Sequence, residues 1–323
     1  MADVAKAAGV SISTVSKVVN GRDGISGQTT ERVREAIGLL GFDASLGARS
    51  LHGSQTHVIG VLARELQEID ASLLTGISST LSRTNYDMLV FDGKSVSSAH
   101  GWEMRSLTRL GSLIDGALIL EPTGPINCGD RPVIMVDPDV HCSIPTVAID
   151  DAHLGALAAE YLLGLGHRHV AVATDSSRGR RARLREQGFR RAMSAYGTPV
   201  SSAHVVDVGS ADGPVAVARI LADANAPTAF FSSADEWASK VMAMVGAVGL
   251  RVPEDVSVLG SGDDPGVLTT RHSLSTVTHS RRETGAMAAR SLIDLLEGRP
   301  FDPHAETQSA AVVPRGSTVA PVG

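Results

Sequence analysis

The side chains best suited to recognition chemistry lie at the start of the chain. Ile12 to about Val19 reads as a short helix with Val15, Val18 and Val19 facing inward and Ile12, Ser13, Ser16 and Lys17 on its other faces. Ser11 suits the N-cap position. Ahead of it, Ala2–Ala8 is rich in helix formers. Val4, Ala5 and Ala8 form one apolar face, and Asp3 sits where the helix dipole favours an acid. Gly9 fits a left-handed C-cap between the two. A helix, a glycine turn and a second helix that begins with polar side chains is the shape that reads DNA through the major groove. An ordinary helical hairpin in an all-α cap would share this pattern. A third helix is expected from about Thr29 to Leu40, capped by Ser26, with Val33, Ile37 and Leu40 on its inner face.

The rest of the chain supplies what such a head would report on. From His57 onward, short apolar strands alternate with helices. Strands are expected at 58–62, 86–91, 116–120, 133–136, 169–173, 203–206, 228–231 and 256–259. Helices are expected at 71–84, 102–110, 151–163, 181–195, 213–224 and 235–248. Repeated βα alternation implies parallel sheets. Two such runs meet near Val147–Asp151, so the economical architecture is two Rossmann-like lobes with a cleft beyond the carboxyl ends of the strands.

Composition narrows the function. The 323 residues suffice for more than one domain, and aromatic residues make up 3%. The two cysteines, Cys128 and Cys142, have neither metal-ligand nor disulfide-framework spacing, as in a reducing cytoplasm. No signal peptide and no apolar run of transmembrane length is visible. The net charge of −6 divides unevenly, with residues 1–51 carrying +1 and the remainder −7. The head is therefore only weakly basic, and its DNA affinity must also draw on dimerisation and helix N-terminal amides.

Other motifs carry less. Gly164-Leu-Gly166 precedes a strand rather than following one, so it reads as a helix stop and not a dinucleotide loop. His167 and His169 lack further metal ligands. The basic run Arg178–Arg185 reads mostly as a solvated helix face, and Asp302 and Glu306 as solvated acids in a polar segment before a final short strand. No nucleophile elbow or Ser-His-Asp context occurs, and neither a cofactor nor a metal is expected.

The order of residues adds a family resemblance. Asp-Val-Ala at 3–5, Ala-Gly-Val-Ser at 8–11, Thr-Val-Ser at 14–16, Val-Asn-Gly at 19–21, Glu-Arg-Val at 31–33, Leu-Gly-Phe at 40–42 and Ala-Arg-Ser-Leu at 48–51 together resemble the DNA-binding head of the LacI/GalR family of bacterial regulators. The resemblance places Ile12, Ser13 and Lys17 on base edges and makes Ser11, Thr14 and Ser16 phosphate partners. It also makes Leu51 a minor-groove wedge at the end of a hinge helix. The pattern departs at Ala44, where the family usually has proline, at Asp43, where a basic residue is common, and at Gly47 inside the hinge. The residues that normally precede the first helix do not stand before Met1.

The body resembles the family's effector domain, which is itself similar to periplasmic sugar-binding proteins. The matching text is Val147-Ala-Ile-Asp-Asp151, Leu165-Gly-His-Arg-His169, Arg185-Glu-Gln-Gly-Phe189, Val252-Pro-Glu-Asp-Val-Ser257, Leu274-Ser-Thr-Val277 and Arg315-Gly-Ser-Thr318. The likeness assigns effector binding to Arg185, whose fork can hold two hydroxyls or a carboxylate. Asp150, Asp235 and Asp263 join it as acceptors, with Arg64 and Glu65 on the opposing lobe. For Asp150 and Asp235, helix N-capping is an equal alternative. Ala234-Asp235 replaces the usual Asn-Asp pair, and Gly260-Ser-Gly-Asp263 lacks the usual aromatic. So few aromatics, Trp102 and Trp237 among them, point away from a simple hexose.

The expected architecture is thus an α/β chain. A helix-turn-helix head (1–43) leads through a hinge (44–54) to a two-lobe, periplasmic-binding-protein-like effector and dimerisation domain (55–318) and a tail (319–323). Chain crossings between lobes fall near 148–151, 275–280 and 305–308. The expected function is that of a cytoplasmic, nucleoid-associated bacterial repressor. It would be a homodimer on a two-fold double-stranded operator, controlled by a carbohydrate-like small molecule and without membrane contact. A dimer is expected because the segment after Arg299 lacks a leucine heptad. A solute-binding protein of the same fold would carry an export signal and no head. A cleft enzyme would need a phosphate loop or catalytic base.

Overall fold

The computed structural model describes residues 2–19, 24–40, 55–66, 69–95, 101–122, 124, 126–140, 143–174, 179–262, 274–307 and 309–321. The head holds three helices: α1 (Ala2–Ala8), α2 (Ile12–Val19) and α3 (Gly27–Leu40). Val4, Ala5, Ala8, Val15, Val33 and Ala36 form their small core. Ser11 caps α2 by accepting the Thr14 amide at 3.1 Å, and Ser26 caps α3 by accepting the Thr29 amide at 3.3 Å. Leu40 lies outside this core at 50% exposure, contrary to the helical spacing. α1 and α2 have 7 and 8 residues. At about 1.5 Å per residue they are too short to cover all of the 14-residue α3.

The body is built on two six-stranded sheets. In the first, β1 (Val58–Ala63), β2 (Asp87–Asp92), β3 (Gly116–Leu120), β4 (Val133–Val136), β5 (Thr146–Ile149) and β11 (His304–Thr307) pair in the order β11-β5-β4-β3-β1-β2. All of these pairings are parallel. In the second, β6 (Val170–Thr174), β7 (Val205–Asp207), β8 (Ala229–Ser232), β9 (Ser257–Ser261), β10 (Ser275–His279) and β12 (Ala310–Val313) run β12-β10-β9-β8-β6-β7. Only β12 is antiparallel to its neighbour there. Several central strands are buried on both faces and read as continuous apolar runs, as in fully buried β1, β3 and β4.

Helices α4 (Ala71–Leu81) and α5 (Trp102–Leu110) cover the first sheet, and α6 (Asp151–Leu165), α7 (Arg180–Ala195), α8 (Gly213–Leu221) and α9 (Asp235–Ala247) the second. The chain passes between lobes three times: from β5 into α6, from β10 into α10 (Arg281–Leu296), and from β11 to β12. The sequence reading did not assign β5, β10, α10 and β11. Glu306 belongs to β11 and remains exposed. α10 returns to the first lobe, where Ala288, Ala289, Leu292 and Ile293 join its core.

Two helix pairs pack backbone to backbone, and glycines allow it. In the second lobe, a Cβ on Gly155 of α6 would strike the Arg185 carbonyl, and one on Gly188 of α7 the Ala152 carbonyl. In the first lobe, Gly76 of α4 meets the Arg282 carbonyl and Gly285 of α10 the Leu73 carbonyl. These contacts carry Arg185 up to Asp151 and Arg281 up to Asp70. The segment 315–319 is stitched onto β9 and β10: Ser317 Oγ donates to the Val258 carbonyl at 2.6 Å, and Arg315 Nη1 to the Leu274 carbonyl at 2.8 Å. Gly188→Val should force α6 and α7 apart and lower the urea midpoint by the equivalent of about 2 kcal/mol or more. A midpoint shift worth under about 0.5 kcal/mol would contradict this close packing.

Candidate functional site

The amino end of α2 presents the expected recognition residues. Ser11, Ile12, Ser13 and Lys17 are exposed, while Thr14 and Ser16 are half-buried. The Ser11 hydroxyl is already engaged as the cap and lies 2.8 Å from Ser13 Oγ and 2.9 Å from Thr14 Oγ1. Ile12 stands 54% exposed. An exposed isoleucine on the first turn of a helix is the type of side chain that can pack against a thymine methyl. Leu51, the expected wedge, lies outside the described residues, as does Asp263.

The second site lies at the carboxyl ends of the strands, between the lobes. On the first lobe a cavity of about 160 Å³ is lined by Arg64, Glu65, Asp70, Glu121 and Arg281 above the apolar side chains of Ile69, Leu73, Leu120 and Val136. Arg64 and Glu65 follow β1, and Glu65 pairs with Lys94 at 2.9 Å. Glu121 follows β3 with φ 45°, and Asp137 follows β4 with φ 49°. These unusual backbone conformations turn both carboxylates toward the first residue of α10. Arg281 Nη1 lies 2.9 Å from Asp137 Oδ2, its Nη2 pairs with Glu121, and its Nε is 3.8 Å from Asp70.

From the second lobe, α7 contributes two more arginines. Arg185 is buried, and its Nε donates to Asp151 Oδ1 at 2.7 Å. Its Nη1 donates to the Ser233 carbonyl at 3.1 Å and to the Ser261 carbonyl at 3.4 Å. Arg181 Nε meets the other Asp151 oxygen at 3.2 Å, and its Nη1 is 3.9 Å from Glu121 across the cleft. Arg181 thus belongs to the buried ionic cluster rather than to the solvated helix face expected for 178–185. Helical spacing explains the difference: 181 and 185 share one face, which the Gly155–Gly188 contact presses inward.

The electrostatics of the cluster follow from its packing. Burial works against the Glu121 carboxylate, yet the guanidinium groups of Arg281 and Arg181 hold its pKa below the usual carboxylate range. Burial raises that of Asp137 against the pull of Arg181 and Arg281. His279, at the end of β10, is pushed down to about 2 by burial and by the neighbouring Arg281, Arg181 and Arg185. It is therefore neutral at physiological pH.

The remaining expected residues divide. Asp150 caps α6, accepting the His153 amide at 2.8 Å. Asp235 is not the cap of α9 but its first residue; it is buried and accepts the Thr276 hydroxyl at 2.7 Å. Sequence reasoning passed over Glu121, Asp137, Arg181 and Arg281 as site residues. The available signal was position, since each acid directly follows a strand and Arg281 opens the helix after β10. His167 is structural: its ring nitrogens meet Thr228 Oγ1 at 2.8 Å and the Val319 carbonyl at 2.9 Å. Among the described residues, no group of three or more potential ligands could hold a metal.

Removing one partner of a buried ion pair leaves the other charge uncompensated. Asp151→Ala removes the carboxylate that pairs with buried Arg185 and the nearer of the two that Arg181 meets, so it should destabilise the body by about 3 kcal/mol in urea unfolding. A loss below about 1 kcal/mol would show that these arginines find other partners.

Comparison with known proteins finds matches to both the head and the body. Residues 1–45 match the profile of the bacterial regulatory proteins of the lacI family, and residues 159–318 that of a periplasmic binding protein-like domain. The ribose operon repressor of Escherichia coli K12 is 30% identical over 97% of each chain. The HTH-type transcriptional regulator DegA of Bacillus subtilis is 28% identical over 90% of this chain and 89% of its own. A Vibrio cholerae HTH-type transcriptional repressor, PurR, is 29% identical over 94% and 95%. The crystal structure of the lac repressor dimer bound to operator and the anti-inducer ONPF superposes with a TM-score of 0.76 at 25% identity, covering 98% of each chain. A head with helix-turn-helix geometry, a two-lobe body crossed three times and similarity over nearly the full length together show that the chain belongs to the LacI family of bacterial regulatory proteins.

Proposed function

We propose that this chain is a transcriptional repressor that binds a two-fold DNA operator as a homodimer and whose grip is set by a small molecule held between the lobes. The observation that carries this reading is the covalent union of two sites with different chemistry. One is a helix end exposing Ile12, Ser13 and Lys17, and the other a cleft with buried guanidinium and carboxylate groups from both lobes. A ligand in such a cleft changes the lobe angle, and a change there alters the spacing of the two heads of a dimer. Ile12, Ser13 and Lys17 read bases, Ser11, Thr14 and Ser16 position the helix on phosphates, and Leu51 kinks the site. Arg64, Glu65, Asp150, Arg185, Asp235 and Asp263 form the effector site together with Glu121, Asp137, Arg181 and Arg281.

The effector is a carbohydrate-like, hydroxyl-rich metabolite. Each guanidinium in the cluster already faces a carboxylate, so the cleft offers alternating donors and acceptors rather than net charge, which suits neutral hydroxyl groups. The relatives named are regulators, which fits a chain that binds rather than turns over its ligand. Among the described residues no helix is long and apolar enough to cross a membrane. A regulator that binds an operator acts where the chromosome is, which for a bacterial chain is the cytoplasmic nucleoid. A solute-binding role leaves the head without a purpose.

A gel shift on duplex DNA from upstream of the chain's own gene tests the reading. Wild type should retard that duplex in preference to unrelated DNA. Lys17→Ala should cost about 1–3 kcal/mol of that preference. Equal retardation of all duplexes by wild type would refute sequence-specific binding. Unchanged preference in the variant would remove Lys17 from the reading face.

A further inference from the structure

The amino end of α7 belongs to the second lobe, but the carboxylate seated on it comes from the first. Asp139 lies just past β4, and its backbone amide donates to the Pro122 carbonyl at 3.1 Å, which ties it to the turn after β3. Its Oδ1 accepts the backbone amide of Arg181 at 3.0 Å. Its Oδ2 presses so closely on Gly179, the N-cap of α7, that any Cβ there would collide with it. A helix N-terminus has unpaired amides and a partial positive charge, and a carboxylate satisfies both.

The same arginine makes a second crossing. While its amide holds Asp139, its guanidinium reaches Glu121 at 3.9 Å and is braced from its own lobe by Asp151 at 3.2 Å. Two carboxylates of the first lobe thus converge on one residue of the second. The charged groups of this junction are Arg181, Arg185 and Arg281 against Glu121, Asp137, Asp139 and Asp151, with neutral His279 beside them. Every contact is supplied by the chain itself.

We propose that Asp139 and Arg181 form a latch that holds the two lobes together without help from a ligand. Lobe closure in this chain is then a property of its own charges, and an effector acts by loosening or replacing the latch. The latch stands on geometry alone. Only its link to DNA release rests on the proposed repressor function.

Hydrogen exchange over residues 179–186 and small-angle scattering of the full chain test this together. First-turn amides have no helical partner and ordinarily exchange fast. In wild type the Arg181 amide should be protected. Asp139→Ala removes the carboxylate, and Gly179→Ala keeps it but pushes it away. Each should speed exchange there by about tenfold and enlarge the radius of gyration, while circular dichroism stays native. Wild type in 1 M NaCl, where screening acts within about 3 Å, should move the same way. If a variant fails to fold, Asp139→Asn keeps the shape and removes the charge, and should give the same direction of change. Fast Arg181 exchange in wild type, or exchange and scattering unmoved by the substitutions, would overturn the latch. Operator retardation by the same proteins separates the two claims: a wild type that binds no operator sinks the repressor reading and leaves the latch standing.

Discussion

The arrangement depends most on the neutralisation of Arg185. A guanidinium this deeply buried, at the junction of α6, α7 and the ends of β8 and β9, is tolerable only because Asp151 accepts from it at 2.7 Å and two backbone carbonyls take further donors. Asp151 in turn holds Arg181, Arg181 reaches the first lobe, and Arg281 draws Asp137 and Glu121 into the same cluster. The interior of each lobe is largely apolar. Where the lobes meet, polar contacts cross: Arg181 reaches Glu121, and its amide donates to Asp139.

That division of labour suits a regulator. The glycine-paired helices give each lobe a rigid frame that delivers its arginines to within about one side-chain length of the boundary. The three chain crossings keep the lobes in register. Rigid frames joined by a polar boundary convert a small ligand's contacts into a change of angle, and a dimer of such bodies converts an angle into a spacing between heads. The head's own core is small, and its weakly basic balance suits an element whose affinity is set by how two copies are presented rather than by charge alone.

Much of this was legible in the sequence, for identifiable reasons. The strands of the parallel sheets are continuous apolar runs separated by turn residues, so β1, β3 and β4 were placed to within a residue. α1 and α2 were found by their apolar spacing and by the cap at Ser11. The segment after Leu274 was harder. β10 mixes Ser, Thr and His, and α10 buries Ala288 and Ala289, where small residues blur the helical period. The same holds at the site. Arg185 was singled out by resemblance, whereas Arg181 looked like any arginine in a basic run until the close helix pairing turned it inward. Glu121 and Asp137 owe their place to left-handed backbone conformations that residue type alone does not announce.

The central claim is that the head and the inter-lobe cluster are coupled, and coupling is reciprocal: if the cleft controls DNA binding, DNA binding must be felt in the cleft. The most direct measurement is hydrogen exchange across the body with and without the operator duplex. The account predicts altered protection at the start of α7 and around Arg281 when the head is bound. Exchange in the body that is identical in the two states would contradict it.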